Sequence, residues 1–110
     1  SIYAQEYSWF YLRAKDTLIE PQFERVNEHL VYTGNNLKLK SIFDKYSIYE
    51  FKKTYRNAKK QNLKKTFFVV AGQDDLLKEL LSKTKHLFEF GEIIEEEDKK
   101  IFEPNDYGST

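Results

Sequence analysis

The chain contains no cysteine and no methionine, only two histidines, two prolines and four glycines in 110 residues. The missing cysteines remove thiolate nucleophiles, disulfide frameworks and zinc knuckles together, and leave the redox compartment open. No stretch approaches the roughly eighteen apolar residues that a helix needs to cross a bilayer. A basic run followed by an apolar one is also missing at the front, and Ser1-Ile2-Tyr3-Ala4-Gln5-Glu6 reads as the start of an excised or processed piece. Eighteen basic and eighteen acidic side chains cancel, which argues against a chain whose main task is to coat nucleic acid or an anionic membrane. Also absent are G-x-S-x-G, a phosphate-cradling Gly-rich loop and H-E-x-x-H, so no catalytic, cofactor or metal residue is expected.

What is present suits a small α+β domain. A chain of this length hides roughly 66% of its extended surface on folding, enough for one two-layer core without staples. Nine Phe and eight Tyr favour strands. Tyr7-Ser8-Trp9-Phe10-Tyr11-Leu12-Arg13-Ala14 reads as a strand, with Trp9, Tyr11 and Arg13 on one face and Phe10 and Leu12 on the likelier core face. From Thr17 to Asn36, Pro21 and the turn residues Thr33-Gly34-Asn35-Asn36 suggest an irregular excursion holding at most a short strand. Apolar positions 39, 42, 43 and 46 then predict a one-faced helix with Asn36 as N-cap.

Strands are expected over Ser47–Lys53 and Thr66–Ala71, joined by the polar stretch Arg56–Lys65; the second is more apolar and so more central. After Gly72, with Gln73 or Asp74 as cap, Leu76, Leu77, Leu80, Leu81 and Leu87 share a helical face. Phe88–Glu95 is a last strand. The order is that of the ferredoxin-like split βαβ fold, a four-stranded antiparallel sheet with two helices on one face. Phe10, Leu12, Phe43, Val69, Leu76, Leu77, Leu80 and Leu81 should meet in one core. Residues 1–97 form the domain and residues 98–110 an extended tail.

Few polar residues invite a chemical role. His86 near the end of the Leu-rich helix suits a cap or surface position, and His29 a surface loop. Glu95-Glu96-Glu97-Asp98 lacks the spacing and central glycine of a calcium loop and reads as solvated charge. The charge is graded: ten Lys or Arg between Lys38 and Lys65 face only Asp44 and Glu50, whereas Glu89 to Glu103 holds seven carboxylates against Lys99 and Lys100. Basic residues near Tyr49, Phe51, Tyr55, Phe67 and Phe68 resemble an RNA-binding sheet in composition, yet Lys64-Lys65-Thr66-Phe67-Phe68-Val69-Val70 lacks the glycines of the RNA-recognition strand. Packing of these rings in the core is the simpler expectation.

The tail carries a stronger signal. Phe102-Glu103-Pro104-Asn105-Asp106-Tyr107-Gly108 resembles the segment that opens the catalytic domain of many subtilisin-like serine proteases. Upstream, Ile42-Phe43-Asp44-Lys45-Tyr46, Tyr49-Glu50-Phe51, Leu63 to Val70, Leu76 to Leu81 and Phe88-Glu89-Phe90-Gly91-Glu92 are similar to the propeptide-like domain of secreted bacterial subtilases of the Bacteroidetes type. One departure is Gly91-Glu92-Ile93-Ile94, where a plain Val-Glu strand end is commoner. The resemblance implies a non-enzymatic intramolecular chaperone and temporary inhibitor, secreted, periplasmic or on the cell surface, whose partner is its own protease catalytic domain downstream of Thr110. Nucleic acid, membrane and small-molecule substrates are not expected partners, and no cofactor is implied. By the same resemblance, Lys99, Lys100, Ile101 and Phe102 would occupy the protease cleft by strand pairing. Pro104, Asn105 and Asp106 would mark the approach to the catalytic domain, and Glu89, Glu92 and Glu95 would cap helix N-termini of the protease. The alternative is a freestanding ferredoxin-like interaction or RNA-binding domain.

Overall fold

Period-two alternation across Ser8–Ala14 makes β1 a two-faced strand, with Phe10, Leu12 and Ala14 completely buried on one side and Trp9, Tyr11 and Arg13 on the other. The computed structural model of the protein describes residues 7–54 and 61–95. Within them β1 is joined by β2 (Phe23–Val26), β3 (His29–Tyr32), β4 (Ile48–Lys53), β5 (Thr66–Ala71) and β6 (Phe88–Ile93). Three helices, α1 (Leu37–Phe43), α2 (Gln61–Lys64) and α3 (Asp75–Lys83), complete the order. The main sheet runs β4-β5-β1-β6 with every pair antiparallel. Phe10 lies opposite Val69 on β5 and Ile93 on β6, and Leu12 opposite Phe67 and Gly91. As α1 leads from β1 to β4 and α3 from β5 to β6, this is the ferredoxin-like split βαβ arrangement.

Both long helices pack on the same side. Leu39, Ile42 and Phe43 of α1 and Leu76, Leu77 and Leu80 of α3 join Phe10, Leu12, Phe67, Val69 and Phe88 in one core, with Leu81 at its margin. All eight expected core residues are there. Asn36 caps α1 as expected, its side-chain oxygen accepting from the Leu39 amide at 3.0 Å. Asp74 occupies the N-cap of α3 without capping it; its carboxylate accepts a hydrogen bond from the Ser8 hydroxyl instead, fastening β1 to the helix start. The helix stops at Lys83, where the buried Thr84 hydroxyl donates to the Leu80 carbonyl at 2.5 Å. Leu87 therefore belongs to the following turn and packs on the core from there.

The excursion is more ordered than its sequence suggests. β2 and β3 form a hairpin pairing Phe23 with Tyr32 and Val26 with His29. Its two-residue turn places Asn27 at φ 59°, a conformation Asn accepts more readily than most residues. Phe23 packs against Tyr32, Phe43 and Phe51 at centroid distances of 5.8, 5.1 and 4.8 Å, so the hairpin closes the core beside α1. α2 was also hidden within the basic polar stretch, where only Leu63 carries an aliphatic side chain long enough to signal an apolar face.

A bulge at the Arg13/Ala14 level of the β1–β6 pair lets Phe88 and Gly91 both face inward despite their odd spacing. The unusual Gly91 then has a packing reason: a Cβ there would stand 2.3 Å from Cδ1 of the buried Leu77. The missing side chain allows α3 to lie close on β6. Among the described residues no helix is long and apolar enough to cross a membrane.

Leu80 is fully buried at the centre of the α3 contact. Leu80→Ala should cost about 2–5 kcal/mol, read as a lowered denaturation midpoint at unchanged m-value.

Candidate functional site

The sheet face away from the helices is the least expected part of the molecule. A two-layer domain normally presents a polar outer sheet face to water. Here Trp9, Val70 and Ile94 are buried on that face, and Tyr7, Tyr11, Tyr49 and Phe68 pack around them. The register sets the array: Val70 lies opposite Trp9, whose carbonyl accepts from the Ile94 amide; Phe68 and Glu92 flank Tyr11; Thr66 and Phe90 flank Arg13. Trp9 meets Phe68 edge-on at 5.6 Å, and Tyr7 stacks on Tyr49 at 4.3 Å. A second bulge, between Ile48 and Glu50 of β4, turns Tyr49 to this side while Ile48 and Phe51 remain with the helix-side core.

One end of the face carries a cluster of ion-paired groups. Arg13 donates from Nε to Glu89 at 2.8 Å and lies 5.0 Å from the Phe90 ring centre. Lys65 approaches the same carboxylate at 3.6 Å. Beside them, Tyr11, Arg13, Leu63, Thr66, Phe90 and Glu92 line a shallow pocket of about 220 Å³. Leu63 and Phe90 are 37% and 47% exposed at its edges.

Of the expected site residues, Glu89 forms ion pairs within the domain with Arg13 and Lys65. Glu92 is exposed on the outer face, and Glu95 is exposed just past β6. Lys99, Lys100, Ile101, Phe102, Pro104, Asn105 and Asp106 lie outside the described residues, as does Tyr55. His29 stands on β3 rather than in a loop, 5.0 Å from the Tyr49 ring, and His86 is exposed in the turn after α3. Phe67 and Phe51 pack on the helix side as expected, whereas Phe68 and Tyr49 belong to the outer face. Among the described residues no group of three or more His, Asp or Glu side chains converges to hold a metal ion.

The densest polar cluster lies between the helices. Glu79 of α3 accepts from Lys45 Nζ at 2.5 Å, from Lys83 Nζ at 2.8 Å and from the Tyr46 hydroxyl. Bonds from Lys45, Lys83 and Tyr46, in that order of weight, hold the Glu79 carboxyl down at about 2. The bond to Glu79, then burial, pushes the Tyr46 phenol up to about 12. The arrangement ties the end of α1 to α3.

No family model, no curated protein and no solved structure matches this chain.

The Glu79 cluster should give stability a defined acid limb. A carboxyl held below its ordinary value of 4.5 stabilises the fold above that pH and loses its contribution as pH falls from about 4.5 toward 2. Tyr46 should add an alkaline limb between about 10 and 12, where the unfolded phenol ionises first. Denaturant midpoints measured across pH should show both limbs, and Glu79→Gln should flatten both.

Proposed function

We propose that this is the propeptide-like domain of a subtilisin-like serine protease, a docking module that chaperones and temporarily inhibits the catalytic domain rather than an enzyme in itself. The observation that carries this reading is the second apolar face of the sheet: helices cover one side, and the other is built from Trp9, Tyr11, Phe68, Val70, Phe90 and Ile94. Trp9, Val70 and Ile94 are already withdrawn from water, so the gain on meeting another protein surface falls chiefly to the exposed Phe90, at most about 1.5–3 kcal/mol before association costs. The resemblance of the segments from Ile42 to Glu92, followed by Pro104-Asn105-Asp106, supports the choice of partner. The reading carries a route with it, through secretion to the periplasm, cell surface or medium.

In this scheme the outer face supplies a preformed surface and the tail supplies strand pairing in the cleft. Lys99-Lys100-Ile101-Phe102 would lie there as a product-like strand whose main-chain groups pair with the cleft edges, until Pro104, lacking an N–H, ends the pairing. A second reading, RNA binding, draws on Tyr11 and Phe68 lying side by side on the two central strands, with Lys52 Nζ 5.9 Å from the Phe68 ring centre.

The domain added in trans should inhibit the matching catalytic domain and speed its refolding. Removing residues 98–110 should weaken inhibition far more than it lowers the stability of the domain, and Phe90→Glu should weaken binding with the tail intact. Equal inhibition with and without the tail discards the tail mechanism, and no binding by either discards the propeptide assignment. Sub-micromolar binding to single-stranded RNA at physiological salt, lost on charge reversal of Lys64 and Lys65, establishes the second reading instead.

A further inference from the structure

We infer that the outer-face pocket between α2 and β6 takes a lysine or arginine side chain of the docking partner, an inference that rests on the outer face being a docking surface. Two of its exposed walls, Leu63 and Phe90, are apolar and can cover the methylene stem of a long side chain. Glu92, opposite Tyr11 on the neighbouring strand, brings a carboxylate to the pocket and forms no ion pair among the described residues.

The one cation among the described lining residues does not oppose this. Arg13 is bound to Glu89 at 2.8 Å and rests against Phe90, so its charge is compensated inside the domain. Arg13 and Lys65 both turn to Glu89, and Glu95 stands at the other end of β6, beyond the Ile94 that bonds to Trp9, so Glu92 is the carboxylate that faces the pocket. An aliphatic stem with a positive head matches both properties; an acidic side chain matches neither, and a purely aliphatic one leaves Glu92 unused.

The test uses the whole chain, labelled with ¹⁵N, and three probes at low salt: N-acetyl-arginine amide, N-acetyl-norleucine amide and N-acetyl-glutamate amide. The arginine probe should shift the amide signals of Arg13, Phe90 and Glu92 and bind about threefold to fivefold more tightly than norleucine, the range expected of one partly exposed ion pair. Glu92→Gln should erase that preference while leaving the rest of the spectrum unchanged. The inference is overturned if norleucine or glutamate binds as well as arginine, if Glu92→Gln keeps the preference, or if no probe shifts these signals. The titration involves no protease, so a pocket that rejects cations leaves the propeptide reading intact, and failure to inhibit a protease leaves the measured pocket preference intact.

Discussion

Everything in this domain depends on β1 being hydrogen-bonded along both edges while burying side chains on both faces. Its inner residues, Phe10, Leu12 and Ala14, form the floor on which α1 and α3 rest, and its outer residues, Trp9 and Tyr11, are the axis of the aromatic cluster. A strand in that position cannot slip: moving its register by one residue would exchange the two sets and put Arg13 into the helix-side core. The two bulges lie on the edge strands, β6 against β1 and β4 against β5. Each absorbs an extra residue so that the flanking strands can continue to serve two faces at once.

The two faces are held by different physics. On the helix side, dense apolar packing does most of the work, and polar groups enter only at the rim, where Glu79 gathers Lys45, Tyr46 and Lys83. On the outer side, rings meet edge to face or stacked, and cations lie near aromatic faces, as Arg13 does over Phe90 and Lys52 beside Phe68. That difference separates an aliphatic and aromatic core on the helix side from a mainly aromatic cluster on the outer side.

Much of the scaffold was legible from periodicity because α3 and the central strands obey simple patterns. Leu76, Leu77 and Leu80 repeat at helical spacing, and β5 is almost wholly apolar. The hairpin was not legible, because its turn is Asn27-Glu28 rather than a glycine-containing pair, and because Glu24 and Arg25 interrupt its short strands. α2 escaped for lack of length, and Leu87 joined the helix on paper because spacing cannot see Thr84 ending it. The outer face was half legible. The alternation of β1 placed Trp9, Tyr11 and Arg13 together, but the company of Tyr49 depends on a bulge that leaves no mark in a local pattern. The diversion of Glu89 to Arg13 and Lys65 is tertiary: partners more than twenty residues away in sequence decide it.

The β1–β6 pairing has a consequence for how the chain is made. β1 is the first strand described and β6 the last, and they lie edge to edge with Phe10 opposite Ile93. While the intervening residues are being synthesised, Phe10 and Leu12 can meet β5 but lack their second neighbour. At ribosomal speeds of about 5–20 residues per second the edge of β1 stays open for several seconds, waiting for β6 to emerge. The last strand therefore acts as the latch of the fold, and the chain after Ile94 leaves the ribosome only when that latch is ready to close. A long-range latch of this kind slows folding relative to local pairing, and it couples completion of the domain to the synthesis of whatever sequence comes next.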